Sequence, residues 1–178
     1  WNQILAEMIP EFEQASNAEE YHLTVAKMVS HLHDAHAVVS SETLSNYFGL
    51  ASPPVRCRLI EDKVVVTEII ADTETSLEEG DAIKIGDPIK IGNLIEIGDI
   101  ITSIDGIDVK EKFKELSQYY SASTQASLEH FVVQGILDGA ESIATLGIET
   151  GSPGGGKTKF IKLARRIKYK SPEESKDE

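Results

Sequence analysis

The apolar period of the chain changes near residue 48, and this change constrains the fold more than any other feature of the sequence. Before it, apolar residues recur at helical spacing in two stretches, which predicts a helical hairpin over residues 1–46. After it, the segments VRCRLI and KVVVTEII run apolar or alternate as strands do, with the turn EDK at their junction. Two more helical stretches and a closing strand hairpin follow. The pattern therefore predicts an α+β protein.

The two N-terminal helices have different signatures. Ser16 and Glu19 have the spacing of a capping box, which predicts that the second helix begins there. The apolar stripe of this helix is predicted to extend to His36, whose side chain would face inward. The apolar face of the first helix consists of Ile4, Leu5, Met8, Ile9 and Phe12.

Composition is typical of a folded chain in water. With 40% hydrophobic and 26% charged residues it can form a packed core. No apolar run approaches the ~20 residues of a membrane-spanning helix, and no such span is predicted in this piece. The first residues lie within a helical pattern without a leader, so we expect a piece of a longer protein. The net charge is −13, although residues 151–170 carry seven bases and no acid. Because few aromatics accompany these bases, an exposed strand is favoured over a nucleic-acid site.

An Ile-Gly repeat occupies the middle of the chain. Ile-Gly-Asp or Ile-Gly-Asn occurs three times between residues 85 and 99, at intervals of six residues. This period is typical of a hexapeptide β-helix, which would suggest an acyltransferase. Three hexads make only about one turn of such a helix, and the period does not continue on either side. We therefore interpret residues 83–97, approximately, as an insertion ahead of one ordinary turn in EIGDIITSIDG.

The segment GSPGGGKT, residues 151–158, matches the pattern of a phosphate-binding loop. That site requires a buried strand before the loop and a helix after it. The following residues, KFIKLARRIKYK, fit the period of a strand better than that of a helix. A glycine-rich hairpin turn is therefore predicted, without a nucleotide or any other cofactor.

The segment HLHDAH, residues 31–36, resembles a zinc-binding pattern of metallo-β-lactamases. That pattern requires an aspartate directly before its last histidine, where this chain has Ala35. On a helix, His33 and His36 would share one face while His31 would point elsewhere. No metal site is predicted; exposed histidines at a helix end remain an alternative interpretation.

A family resemblance rests on the order of several short motifs. GDIITSIDGIDV, residues 98–109, resembles the signature turn and strand of bacterial PDZ domains. The preceding YFGLASPPVRCRLIEDKVVVTEII is similar to the carboxylate-binding loop and the next strands of that domain. With LHDAHA before it, the order resembles the C-terminal processing and tricorn-like serine peptidases over residues 1 to about 170. The resemblance implies a PDZ-like, partly open β-barrel with two helices at 47–170 and a disordered tail at 171–178.

The resemblance further implies that the PDZ-like part binds polypeptide C-termini or unfolded protein substrates. A peptide would add as a strand beside PPVRCRL, antiparallel to it. Its terminal carboxylate would meet backbone amides near Phe48, Gly49 and Leu50. The proline pair within that segment lacks two backbone donors where strand pairing would begin. Side chains expected to line the pocket are Phe113, Leu116 and Tyr120.

For catalysis, the resemblance implies that His36 is the base of a serine peptidase, although Ala35 stands where tricorn-like enzymes have a serine. The nucleophile would lie in a catalytic domain beyond residue 178, so this piece alone is expected to be inactive. That catalytic domain is its expected partner, and the expected location is periplasmic or at the cell surface. The alternative is a stand-alone, non-enzymatic PDZ-type adaptor that binds peptides.

Overall fold

Three helices form the N-terminal part of the protein. The computed structural model describes residues 1–70, 94–150 and 158–165, together with the backbone of 167–168. Helix α1 spans Asn2–Gln14, α2 spans Ala18–Ser30 and α3 spans Glu42–Phe48. Helix α2 packs between α1 and α3, and Lys27 of α2 donates to the carboxylate of Glu11 of α1 at 2.6 Å. The predicted helical hairpin is therefore present, with a third helix that the apolar period had not indicated.

The ends of α2 differ from the sequence prediction. The helix is capped by Asn17, whose side chain accepts the N–H of Glu20, so the predicted capping box is displaced by one residue. Its last residue is Ser30, and His33 has a φ of 51°, which is incompatible with a continuing helix. The prediction that α2 reaches His36 and turns its side chain inward is wrong.

The second part of the protein is an antiparallel sheet with the order β2-β3-β4-β6-β7, and β5 pairs with β4. A separate two-stranded pair joins β1 to β8. Within the described residues the terminal strands β2 and β7 do not pair with each other, so the sheet is not a closed barrel. The predicted mixture of helix and sheet is confirmed, whereas the PDZ-like, partly open form of the barrel stays a prediction. The strands are β1 Ala51–Ser52, β2 Val55–Ile60, β3 Lys63–Ile69, β4 Ile100–Ile104, β5 Ile107–Asp108, β6 Ile143–Glu149, β7 Thr158–Ala164 and β8 Ile167–Lys168.

Two tight turns agree with the sequence. Glu61 and Asp62, between β2 and β3, have φ of 50° and 59°, and Asp105 and Gly106, between β4 and β5, have φ of 52° and 83°. Two successive residues with positive φ form the hairpin turn that suits twisted strands. The predicted Ile-Gly insertion lies mostly outside the described residues, which resume at Leu94.

Two helices cover the core side of the sheet. Helix α4 spans Val109–Ser117 and α5 spans Gln125–Gly135, and α5 packs against β2. The core includes Val66, Ile101, Ile104, Val132, Ile136, Ala144, Leu146 and Ile148. The part 151–157 of the phosphate-loop pattern lies outside the described residues. Since the strand β7 begins directly after it at Thr158, the helix that a nucleotide site requires is not formed there.

Candidate functional site

His36 lies on an exposed turn between α2 and α3. Its side chain is 95% exposed, and its Nδ1 lies 3.1 Å from Oδ1 of Asp34. The same carboxylate oxygen accepts the backbone N–H of His36 at 2.9 Å. These contacts hold the pKa of Asp34 below its usual range, the backbone N–H contributing most and the ring next. An ionised Asp34 would accept a hydrogen bond from Nδ1–H, which leaves Nε2 as the basic nitrogen facing solvent.

The turn is attached to the loop between α4 and α5. The N–H of Asp34 donates to Oγ of Ser121 at 3.1 Å, and the N–H of Ala35 donates to Oγ of Ser123 at 3.2 Å. Ser123 directly precedes Thr124, which caps α5. The position of His36 therefore depends on residues almost ninety positions later in the sequence, which no local pattern could indicate.

The three predicted peptide-binding residues form the end of α3 rather than an open loop. Phe48 is the last residue of that helix, and the N–H of Gly49 donates to the carbonyl of Ser45 at 3.0 Å. The amide of Gly49 is thus already used, and it does not offer a hydrogen bond to a carboxylate. Leu50 is 56% exposed. The binding role of these residues stays a prediction, to which the N–H of Gly49 does not contribute while it is bonded within the helix end.

Gly49 has a structural role, because its backbone conformation and its surroundings leave no space for a side chain. Its φ is +86°, and a Cβ atom built on it would lie 2.1 Å from the carbonyl carbon of Gly139. A Cβ on Gly139 would in turn lie 2.6 Å from Cζ of Arg165. The two glycines therefore allow the chain after α3, the chain after α5 and the Arg165 guanidinium to stack in van der Waals contact.

Arg165 is the buried charged centre of the second part. Its side chain is 1% exposed and bonds the carboxylate of Asp105. It also donates to the carbonyl oxygens of Leu137 at 3.0 Å, Ile143 at 3.1 Å and Glu141 at 3.3 Å. Sequence reasoning missed this centre. The sequence nevertheless contains an indication of it. Inward-facing residues alternate along β7, where Ile161 and Leu163 are apolar, and an arginine occupies the next inward-facing position.

A small pocket separates α4 from the end of α5. Burial raises the pKa of Asp138 to about 6 there, although Ser52, Lys112 and Arg165 act in the opposite direction. Burial also lowers the pKa of Lys112. On the pocket wall, the Tyr47 hydroxyl donates to Glu115 at 3.0 Å. The pocket thus contains a carboxyl that can be neutral in mildly acidic solution.

Strand β2 is an open edge of the sheet. It pairs with β3 on one side and, among the described residues, with no strand on the other. Pro53 and Pro54 precede it and are buried, and the carbonyl of Pro54 accepts the N–H of Ile70. The helix packed against β2 is α5. The predicted wall residues Phe113, Leu116 and Tyr120 belong instead to α4 and the segment after it, where they pack on the core.

Metal-binding clusters and membrane-spanning helices are both absent from the described residues. Residues 1–70, 94–150 and 158–165 contain no group of three histidine, cysteine, aspartate or glutamate side chains arranged to hold a metal ion. None of their helices has the length and apolarity needed to cross a membrane.

Comparison with known proteins shows similarity at the level of structure. No protein-family model and no curated protein sequence matches the chain. A crystal structure of mature CPAF, a chlamydial serine protease, matches with a TM-score of 0.56 and 17% identity over 93% of this chain. Mature CPAF complexed with lactacystin gives 0.56 and 16%, and a CPAF mutant gives 0.53 and 17%. The chain spans 28% of each of these proteins, and the likeness shows a shared fold.

Proposed function

We propose that this chain is the non-catalytic portion of a serine endopeptidase of the C-terminal processing type. Its sheet would bind a polypeptide C-terminus or an unfolded segment, and the parent's own catalytic domain would cleave the bound chain. The fold shared with part of a serine protease supports this assignment. A periplasmic or cell-surface location belongs to the same proposal.

The observation that carries the proposal is the open edge of β2 beside α5. Since a two-residue turn joins β2 to β3, the backbone polar groups of Arg58 and Ile60 face β3 and those of Cys57 and Leu59 face the open edge. An extended peptide can satisfy these outward groups by adding one antiparallel strand. Pairing would begin after the two prolines, which have no N–H to offer.

His36 fits the part of a general base that is completed by another domain. A serine hydroxyl becomes nucleophilic when a base lies within hydrogen-bond reach and a third group orients that base. Asp34 supplies the orienting contact to Nδ1, and the 95% exposure of His36 leaves Nε2 accessible to an incoming hydroxyl. The proposed site would thus draw two of its three groups from this turn.

The test is fluorescence anisotropy of the full 178-residue chain with labelled peptides that carry either a free or an amidated C-terminus. We expect binding that weakens several-fold on amidation. In Leu59→Pro the outward N–H is removed while the pairing of β2 with β3 is kept, so binding should be lost. Leu59→Val keeps the N–H and should bind as the original chain does.

Circular dichroism would establish that both variants fold. Absence of binding to every peptide would refute the proposed function. Equal binding of free and amidated peptides would refute recognition of the terminal carboxylate. Addition of the peptide as a strand beside β2 would then remain as the mode of binding. Equal binding to the proline and valine variants would place the peptide somewhere other than the β2 edge.

A further inference from the structure

The open edge of β2 carries two arginines on its solvent face. Burial alternates along the strand, so Val55 and Cys57 are buried while Arg56 and Arg58 are exposed. Arg56 lies 3.7 Å from Glu68, its partner across the strand pair. Arg58 lies opposite Val65 instead, and none of the described carboxylates forms an ion pair with it. The cation of Arg58 therefore has no charged partner among the residues that the structure describes.

The strand register would bring one residue of a bound peptide close to Arg58. A peptide that bonds the outward groups of Cys57 and Leu59 would have one residue directly opposite Arg58. That residue forms a non-hydrogen-bonded pair, whose Cα atoms approach to about 4.5 Å and whose side chains share one face. A carboxylate side chain there would reach the guanidinium, whereas its two chain neighbours would point to the other face.

The surrounding charges favour an acidic side chain at that place. Lys63 lies diagonally across the pair from Arg58 on the exposed face, and both are cationic. The acids Glu61 and Asp62 lie in the turn beyond the strand end, and Glu68 is engaged with Arg56. The net charge of −13 would repel an acidic peptide as a whole. A preference for an acid must therefore come from this local face and must depend on position in the peptide.

We propose that Arg58 selects bound strands that carry Asp or Glu at the position opposite it. This inference rests on the proposed function, because it requires a peptide strand on the β2 edge. It assigns a substrate class to that edge: extended segments in which a carboxylate occupies one outward-facing position. Arg58 acts on specificity and has no part in the hydrolytic chemistry.

The experiment uses the full chain and labelled octapeptides that alternate serine and valine and end in a free carboxylate. Glu, Gln or Lys replaces one residue at a time along the peptide. At one position we expect Glu to bind about threefold more tightly than Gln and Lys to bind more weakly, and the preference should be absent at the adjacent positions. High salt should reduce this preference, because the pair is exposed.

The charge reversal Arg58→Glu should invert the order, so that the Lys peptide binds best at that position. Lys162→Glu is the matched control, since it makes the same charge change on an exposed residue of β7, the opposite edge strand. It should leave the order of peptides unchanged.

The outcomes separate the two proposals. If no peptide binds, the proposed function and this inference both fail. If peptides bind equally whatever residue is placed at each position, or if Arg58→Glu keeps the original order, the inference alone is overturned. An equal inversion in Lys162→Glu would also overturn it, since the effect would then come from net charge.

Discussion

Arg165 and His36 both pair with an aspartate, yet they lie in opposite environments. Arg165 is 1% exposed and is held by one carboxylate and three carbonyl oxygens. His36 is 95% exposed, and its ring contacts the carboxylate of Asp34. The first side chain has used its donors inside the protein, whereas the second keeps one ring nitrogen open to solvent.

The difference in exposure indicates which of the two side chains another domain or molecule can contact. A buried cation joins the segments around it, and losing it leaves several polar groups without partners. An exposed pair contributes little to stability, because water competes for both groups. We therefore expect substitutions near Arg165 to affect folding and substitutions near His36 to affect its proposed role as a general base.

The largest effect is expected for Arg165→Met. Loss of the guanidinium leaves the Asp105 carboxylate and three carbonyl groups without their donor, and the free energy of unfolding should fall by about 3–5 kcal/mol. Urea denaturation measures this change. Arg56→Met is the control, because its ion pair with Glu68 is exposed and should contribute at most about 1 kcal/mol. Equal effects of the two substitutions would contradict the structural role of Arg165.

Gly49→Ala should be the next most damaging change. A Cβ there would overlap the backbone of Gly139, and the φ of +86° adds strain, so we expect a loss of about 3 kcal/mol. Gly106→Ala is the matched control: its φ is +83° but no atom lies within 4 Å of the added Cβ. Its loss should be about 1 kcal/mol. Thermal or urea unfolding measures the stability of both variants. Similar losses of stability in the two would mean that Gly49 is not tightly packed against Gly139.

Asp138→Asn should stabilise the protein in neutral solution. Because burial raises the pKa of Asp138 from 3.8 to about 6, its contribution is fully present below pH 3.8 and is lost as the pH rises to about 6. The neutral variant should therefore become more stable than the original chain between pH 4 and 6, by about 3 kcal/mol at pH 7.

Urea denaturation at several pH values checks this prediction. Asp62→Asn is the control, since Asp62 lies in the exposed turn after β2 and its change should leave the pH dependence intact. A variant that follows the original pH profile would show that Asp138 is not the titrating group.

The smallest effect on stability is expected for Asp34→Asn. The pair is exposed, so the free energy of unfolding should hardly change. The tautomer of His36 should change nonetheless, because the asparagine amide can donate to Nδ1 and the proton then moves to Nε2. Nitrogen-15 NMR of the imidazole rings reports this shift, and the other four histidines are internal controls. An unchanged His36 tautomer would refute the orienting role of Asp34.

Sequence patterns predicted the elements well where one local signal dominated. The β2–β3 hairpin and the strand β4 with its Asp-Gly turn both appear as predicted. The end of α2 was mispredicted because the apolar period continues past Ser30. Bonds from residues 34 and 35 to Ser121 and Ser123 hold the turn there instead.

The candidate site shows the same division. His36 was singled out by its place in a motif, and its catalytic role stays a prediction, whereas the contact of Asp34 with its ring was not predicted. Phe48 and Gly49 were assigned to a loop because a seven-residue helix is too short to show a clear apolar period. Arg165 was taken as one of a run of surface bases, since its inward position depends on the register of β7.

By itself, the sequence determined the α+β class, the order of most helices and strands, and the turns that need positive φ. These features depend on neighbouring residues, whose spacing and backbone preferences act locally. The tertiary structure decided that β2 is the last strand of the sheet among the described residues, that His36 faces solvent and that Arg165 is buried. Each of these depends on residues far apart in the chain, and their contacts form only when the helices pack on the sheet.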